Sequence, residues 1–79
     1  MSGVRVHLTF PEALIKEPVI GRMVRGFDVL PNIRRASVDE HVGWMVCELD
    51  GSTDDVGRAV AWLQEQGIQV DQLGDVVES

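Results

Sequence analysis

The sequence predicts a small α+β domain with the element order βαββαβ, and three observations support this fold class. Residues 4–10 alternate strictly between apolar and polar side chains, as in a strand with one buried face. Residues 56–63 place apolar side chains at helical spacing. Between them, residues 29–49 are rich in strand formers and are interrupted by a polar turn, which predicts a hairpin.

The first helix is predicted over residues 18–26. Pro11 ends the first strand, and Pro18 suits a helix start because its φ is fixed and it lacks an N–H. Gly26 suits the C-terminal turn. The apolar stripe of this helix is formed by Val19, Ile20, Met23, Val24 and Phe27.

The first hairpin strand, residues 29–38, alternates imperfectly. Ile33 and Val38 are five positions apart, so a regular strand would point them to opposite faces. This predicts a β-bulge or a bend between them. Residues 39–43 form the polar turn, and the second hairpin strand covers residues 44–49. Its core face is expected to carry Met45, Cys47 and Leu49.

The second helix has the clearest boundaries. Capping hydroxyls and acidic residues at positions 52–55 precede its apolar stripe, and Gly67 lies at the expected stop. Residues 68–73 are predicted to form the last strand, and residues 74–79 a frayed acidic tail. Residues 1–79 are therefore interpreted as one domain with its core at about residues 4–73.

This order predicts the ferredoxin-like arrangement, in which two right-handed crossovers place both helices on one face of a four-stranded antiparallel sheet. The other face, here called the open face, would carry Arg5, His7 and Thr9 from the first strand and Trp44, Val46 and Glu48 from the third. Because Trp44 and Val46 are apolar, they are a candidate association surface.

Composition limits the functional classes. The formal charge of −6 would repel a phosphate backbone, so nucleic acid is not expected as a partner. A single cysteine, Cys47, excludes an intramolecular disulfide and an all-cysteine iron–sulfur site, which favours the cytoplasm. No stretch approaches the roughly 18 apolar residues that span a bilayer, so membrane insertion is not expected.

No residue pattern predicts catalysis, a cofactor or a metal. The two histidines, His7 and His41, have no partners at the spacing of a zinc site. Cys47 lies on the predicted core face without a neighbouring cation to activate its thiol. No phosphate-binding loop or nucleophile motif occurs, so a binding domain is expected and not an enzyme.

Two arginines offer a binding hypothesis. Arg34 and Arg35 could bind an anion such as a carboxylate, although a solvated basic strand edge would look the same. Trp62 lies off the apolar stripe of the second helix and is interpreted as a packing residue at the helix edge.

Several segments resemble the NIL domain, a ferredoxin-like domain found at the C-terminus of methionine-import ABC transporter ATPases. The resemblance covers residues 6–73 and is sharpest at residues 8–10 (LTF), 48–51 (ELDG) and 59–65 (AVAWLQE). Asn32 and Ile33 match the family's Asn-Ile-Leu run, whereas Arg34 stands at the third place.

The resemblance implies a regulatory role of the ACT-like kind. NIL domains of such transporters pair across a two-fold axis and bind methionine near the Asn-Ile segment, which inhibits uptake. By analogy we expect a homodimer that binds methionine or a related sulfur amino acid through Asn32, Ile33, Arg34 and Arg35. A methionine transporter is then a candidate partner. The alternative is an adaptor without ligand that docks onto a sulfur-metabolism enzyme through Trp44 and Val46.

Overall fold

The computed structural model describes residues 3–76, with side chains described through Gly74. Six main elements follow each other along the chain: β1 (Gly3–Phe10), α1 (Val19–Gly26), β2 (Leu30–Val38), β3 (Gly43–Asp50), α2 (Thr53–Glu65) and β4 (Gln69–Val76). A short 3-10 turn, Glu12–Leu14, which the sequence analysis did not anticipate, lies between β1 and α1.

The strands form one four-stranded antiparallel sheet in the order β2-β3-β1-β4. This order places β1 and β3 at the centre and leaves β2 and β4 as edges. Together with the two helices it confirms the predicted ferredoxin-like α+β fold.

The core lies between the helices and one face of the sheet, and it is built mainly from β1, β3 and α2. Leu8, Cys47 and Leu63 each have no exposed surface. Because β1 and β3 are flanked by other strands and covered by helices, their alternate side chains are buried. The remaining members of this cluster are Val6, Phe10, Val19, Met23, Val29, Leu49, Val56, Ala59, Val60 and Ile68.

Helix α2 begins as the sequence predicts. Ser52 is its N-cap: the Asp55 backbone N–H donates to the Ser52 hydroxyl at 3.1 Å, and that hydroxyl donates to the Asp55 carboxylate at 2.8 Å. The hydrogen bonds from Ser52 and Arg58 hold the pKa of Asp55 below its usual value. At the other end, Trp62 packs against Phe27 with ring centroids 6.0 Å apart, as expected for a residue at the helix edge.

The predicted bulge in β2 is confirmed. Ile33 pairs with Cys47 and Arg35 with Val46, so Arg34 is the extra residue. Because of this extra residue, Ile33 and Val38 oppose Cys47 and Gly43, which share one face of β3. The bulge therefore places Ile33 and Val38 on the helix side although they lie an odd number of positions apart in the sequence.

One predicted boundary is wrong. Strand β4 does not end at residue 73, because Gly74 pairs with Arg5 at a φ of 126° and the strand continues to Val76. The extra residue Leu73 forms a bulge there, which glycine accommodates. The predicted tail at residues 74–79 thus begins inside the strand, and residues 77–79 lie outside the described residues. On the apolar stripe of α1, Val19 and Met23 are buried, whereas Val24 is 39% exposed.

Candidate functional site

Strand β2 is the least covered strand of the sheet. Leu30, Ile33 and Val38 are 66%, 53% and 66% exposed, although all three are large and apolar. As an edge strand, β2 also leaves one row of backbone N–H and C=O groups without a strand partner in the sheet. Both features are typical of a surface that accepts another strand.

The register with β3 divides the four predicted ligand residues between the two faces of the sheet. Asn32 opposes Glu48 and Arg35 opposes Val46, so both lie on the open face. Ile33 opposes the buried Cys47 and lies on the helix side. The structure thus brings the polar candidates together but separates them from the apolar one.

Arg34 forms an ion pair on the open face. Its guanidinium lies 3.6 Å from the Glu48 carboxylate, which a second guanidinium, that of Arg5, approaches at 3.4 Å. Arg35 makes no ion pair with any residue in the described part of the chain. Of the two arginines proposed to bind a carboxylate, Arg35 is therefore the more available.

Trp44 and Val46 lie on the open face as predicted, and both are half-buried. The Trp44 ring stacks on the His7 imidazole with centroids 5.6 Å apart and an angle of 14°. His7 Nδ1 is in turn 4.0 Å from the Asp71 carboxylate on β4. Trp44 is consequently less exposed than Leu30, Ile33 and Val38 of β2, which carry the larger uncovered apolar surface.

A concave pocket of about 200 Å³ lies on the helix side, near the end of β2. It is enclosed by the 3-10 turn, the first turn of α1 and the Val38 end of the hairpin. Its lining includes the side chains of Phe10, Ile15, Glu17, Val38 and Met45. The pocket could not be predicted from the sequence, because its walls come from separate elements and share no spacing along the chain.

The hairpin turn beside the pocket is held by Asp39. Its carboxylate accepts hydrogen bonds at 2.7 Å from the backbone N–H groups of Val42 and His41, and these lower the pKa of Asp39. His41 Nδ1 lies 3.1 Å from the Glu12 carboxylate, which connects the turn to the 3-10 turn. The pocket is therefore framed by two segments that contact each other.

Cys47 behaves as the core residue that the sequence analysis expected. It is fully buried on β3, and this burial raises the pKa of its thiol to about 11. In the described part of the chain, no three histidine, cysteine or carboxylate side chains are grouped to hold a metal ion. Over the same residues, neither helix has the length and apolar character to cross a membrane.

Comparison with known proteins gives a consistent result. The family model described as the NIL domain matches residues 4–72. The methionine import ATP-binding protein MetN of Myxococcus xanthus is 33% identical over 78 residues, covering 94% of this chain and 24% of that protein. MetN of Escherichia coli K12 is 33% identical over 75 residues, covering 90% and 22%. This chain spans less than a quarter of the length of these relatives.

A solved structure shares the fold. The C-terminal domain of an ABC transporter ATP-binding protein from Enterococcus faecalis superposes with a TM-score of 0.79 at 21% identity, covering 91% of this chain and 84% of that one.

Proposed function

Since the chain belongs to the NIL domain family, we propose that it is a regulatory domain that pairs with a second copy and senses methionine or a related sulfur amino acid. The relatives are methionine import ATP-binding proteins, which supports this class of ligand. The observation that carries the pairing is the row of exposed apolar side chains on the unpaired edge strand β2. The proposed domain has no catalytic role of its own.

Pairing through β2 would cover this row. A two-fold axis normal to the sheet makes the two copies of β2 antiparallel neighbours and joins the two sheets into one. Strand addition of this kind satisfies the free backbone groups of both edges. It also brings the Ile33 half of one β2 beside the Val38 half of the other, so apolar side chains on the helix side meet across the junction.

The ligand is proposed to bind at this junction. The Asn32 amide would hydrogen-bond the polar head of the ligand on the open face, whereas Ile33 lies on the helix side and would contribute to the pairing. Arg35 would pair with the ligand carboxylate, because the Arg34 guanidinium is already beside Glu48. Arg34 is then a supporting residue that neutralises Glu48.

Ligand binding at a junction between two copies couples sensing to pairing. A ligand that contacts both copies binds the pair more tightly than the single chain and therefore stabilises the pair. An effector that reads the paired form thereby reads the ligand concentration. We propose a methionine importer as that effector and the cytoplasm as the compartment, because the relatives are ATP-binding proteins of importers.

The pairing is tested by sedimentation velocity on Ile33→Lys and a matched variant, Leu73→Lys. Ile33 and Leu73 are 53% and 54% exposed and lie on opposite edges of the sheet. We expect Ile33→Lys to weaken self-association at least about tenfold, because a buried lysine without a partner is costly, and Leu73→Lys to leave it unchanged. Equal behaviour of the two variants, or a monomeric parent chain, would refute pairing through β2.

Ligand binding is tested by calorimetric titration with methionine, homocysteine, cysteine and S-adenosylmethionine. We expect heat with methionine or a close relative, a loss of affinity of at least about tenfold in Asn32→Ala and Arg35→Ala, and a smaller loss in Arg34→Ala. Absence of heat with all four at millimolar concentration would refute the sensor.

Docking of the open face onto a sulfur-metabolism enzyme is the alternative, since no element in the described residues covers Trp44 and Val46. Its signature is co-purification of one enzyme that is lost in Trp44→Glu and retained in Ile33→Lys. The sensor proposal instead predicts that self-association is lost in Ile33→Lys and retained in Trp44→Glu.

A further inference from the structure

We propose that the β-bulge of β2 forms an oxyanion site, in which Arg34 and Arg35 of two paired copies together hold one anion. The ligand class is a tetrahedral oxyanion, which free sulfate and the sulfonate group of an amino acid both provide. The bound anion permits the pairing, and its absence opposes it. This inference rests on the proposed function, because it requires two copies that pair through β2.

The bulge directs two consecutive arginines to the same face of the sheet. In a regular strand, neighbouring side chains point to opposite faces. Here Arg34 is the extra residue of the bulge, and its guanidinium lies beside Glu48 on the open face. Arg35 opposes Val46, which lies on that face as well. The bulge therefore gives this edge strand a pair of guanidinium groups on one side, which a regular strand could not provide.

Positive charge is locally in excess at the bulge, although the chain as a whole has a net charge of −6. Three of its seven basic residues, Arg5, Arg34 and Arg35, lie on the open face. In the described part of the chain, the one carboxylate that forms an ion pair with any of them is that of Glu48. Asp50, the next acidic residue on this face of β3, pairs with none of the three. The cluster therefore attracts an anion.

Arg34 can turn towards an anion without leaving Glu48 unpaired. The Arg5 guanidinium donates a hydrogen bond to Glu48 Oε2 at 3.4 Å, whereas the Arg34 guanidinium lies 3.6 Å from Glu48 Oε1, beyond hydrogen-bond distance. The Glu48 side chain is only 14% exposed, so it needs a charged partner, and Arg5 remains in that role. Arg34 is thus the exchangeable member of this cluster.

Pairing through β2 would bring the guanidinium groups of both copies together. Arg34 and Arg35 are the fifth and sixth of the nine residues of β2, so antiparallel pairing that sets the Ile33 half against the Val38 half places them at the two-fold axis. The two strands would be about 5 Å apart there. Like charges that oppose each other across two strands destabilise the pairing, and charged side chains on an edge prevent strand addition. An oxyanion between the guanidinium groups would turn this repulsion into attraction.

Guanidinium groups from two copies favour a tetrahedral oxyanion over a carboxylate. Each guanidinium presents its N–H donors in a planar fork that binds two oxygens of an anion. A carboxylate has two oxygens and fills one fork, whereas a sulfonate or sulfate has three or four and can engage groups of both copies. Methionine has no second acidic group, so it cannot fill this site while its carboxylate pairs with Arg35. Homocysteate, which carries a sulfonate, can.

The site is tested by sedimentation velocity in sodium chloride and in millimolar sodium sulfate at the same ionic strength, which separates site binding from general screening. Sulfate should strengthen self-association of the parent chain at least about tenfold, because an ion that binds only the pair stabilises it by mass action. In Arg34→Gln and Arg35→Gln, self-association without sulfate should strengthen, and the sulfate response should fall below about twofold. Arg25→Gln is the matched control and should respond like the parent chain. Like Arg35, Arg25 is exposed and makes no ion pair in the described part of the chain, but it lies on α1.

A calorimetric arm identifies the source of the anion. If homocysteate binds the parent chain at least about tenfold more tightly than methionine, and Arg34→Gln removes this advantage, the anion is the acidic group of the amino acid itself. Inorganic sulfate should then compete with homocysteate. If sulfate strengthens pairing and homocysteate binds no more tightly than methionine, the site takes a free ion.

The outcomes separate this inference from the proposed function. If the parent chain pairs equally in both salts and binds homocysteate no more tightly than methionine, the oxyanion site is overturned and the sensor stands. A sulfate response that persists in both Arg34→Gln and Arg35→Gln also overturns the assignment. If the parent chain is monomeric in both salts and binds no amino acid, the proposed function fails first. The comparison of the two salts on the parent chain decides the question even if a variant does not fold.

Discussion

Leu8 and Leu30 are the same residue type in strands of the same sheet, yet Leu8 is fully buried and Leu30 is 66% exposed. Leu8 lies on the central strand β1, which has a strand on each side and helices on one face. Leu30 begins the edge strand β2 and opposes Asp50, so it lies on the open face, which neither helix covers. The eight residues of α1 span about 12 Å, whereas the nine residues of β2 span about 30 Å. The fold thus builds its core mainly on β1, β3 and α2, whereas the side chains of β2 stay largely exposed.

The largest expected effect on stability is the difference between truncating the buried leucine and truncating the exposed one. Leu8→Ala should destabilise the chain by about 2 to 5 kcal/mol, because it removes a buried side chain and leaves a cavity. Leu30→Ala should change the free energy of unfolding by less than about 0.5 kcal/mol at concentrations where the chain is monomeric. Urea denaturation of both variants measures this difference. Similar destabilisation of the two would show that β2 belongs to the core.

The reactivity of the Cys47 thiol measures how well the core excludes solvent. Burial raises its pKa to about 11, so its thiolate fraction near pH 8 should be about 100-fold lower than that of an exposed thiol. Labelling by a thiol-specific reagent should therefore be slow in buffer and fast in denaturant. A cysteine introduced by Ser37→Cys on the exposed strand β2 should react rapidly, and equally fast labelling of Cys47 would contradict its burial.

The cap of α2 has a smaller effect that depends on pH. Ser52→Ala should cost about 1 kcal/mol near neutral pH, because it removes the side-chain bond to the Asp55 N–H. The folded-state pKa of Asp55 is lowered, so its contribution is present above the unfolded pKa of about 3.9 and is lost as the pH falls through the folded value. Part of the loss of stability at low pH should therefore disappear in Ser52→Ala. It should remain in the control variant Ser37→Ala on β2. Thermal unfolding between pH 2 and 7 measures both.

The ion pairs of the open face should have the smallest effect. Glu48→Gln should destabilise the chain by about 0.2 to 1 kcal/mol, because the paired guanidinium groups of Arg5 and Arg34 are about half exposed and screened by water. The difference from the parent chain should shrink at high salt. Denaturation at low and high ionic strength measures it, and a salt-independent cost would indicate a packing role for Glu48.

Local patterns were sufficient for the elements and for the bulge. The alternation in β1, the cap at Ser52 and the stripe of α2 each depend on neighbouring residues and were read correctly. The odd spacing of Ile33 and Val38 indicated a bulge, and the register confirms it. The end of β4 was predicted too early, because a glycine such as Gly74 is typical of the end of a strand. Only its pairing with Arg5 shows that the strand continues.

The candidate site was less predictable, because it depends on which strands and turns become neighbours. The Asn32 segment was found through a family resemblance, and nothing in its spacing places Ile33 on the opposite face from Asn32 and Arg35. The availability of Arg35 relative to Arg34 depends on Glu48, which lies on another strand. The pocket beside Gly43 requires the 3-10 turn, α1 and the hairpin to meet.

The sequence by itself determined the βαββαβ order, the buried stripe of α2, the burial of Cys47 and the family, because periodicity, capping and motif similarity are properties of short segments. Only the tertiary structure decided that β2 is an uncovered edge, that Arg34 neutralises Glu48 and that a pocket lies at the hairpin end. Each of these depends on contacts between residues distant in the chain, and sheet order, register and helix length set those contacts. Leu8 and Leu30 show the consequence: an apolar residue marks a strand, but its place in the sheet decides whether it belongs to the core or to a surface.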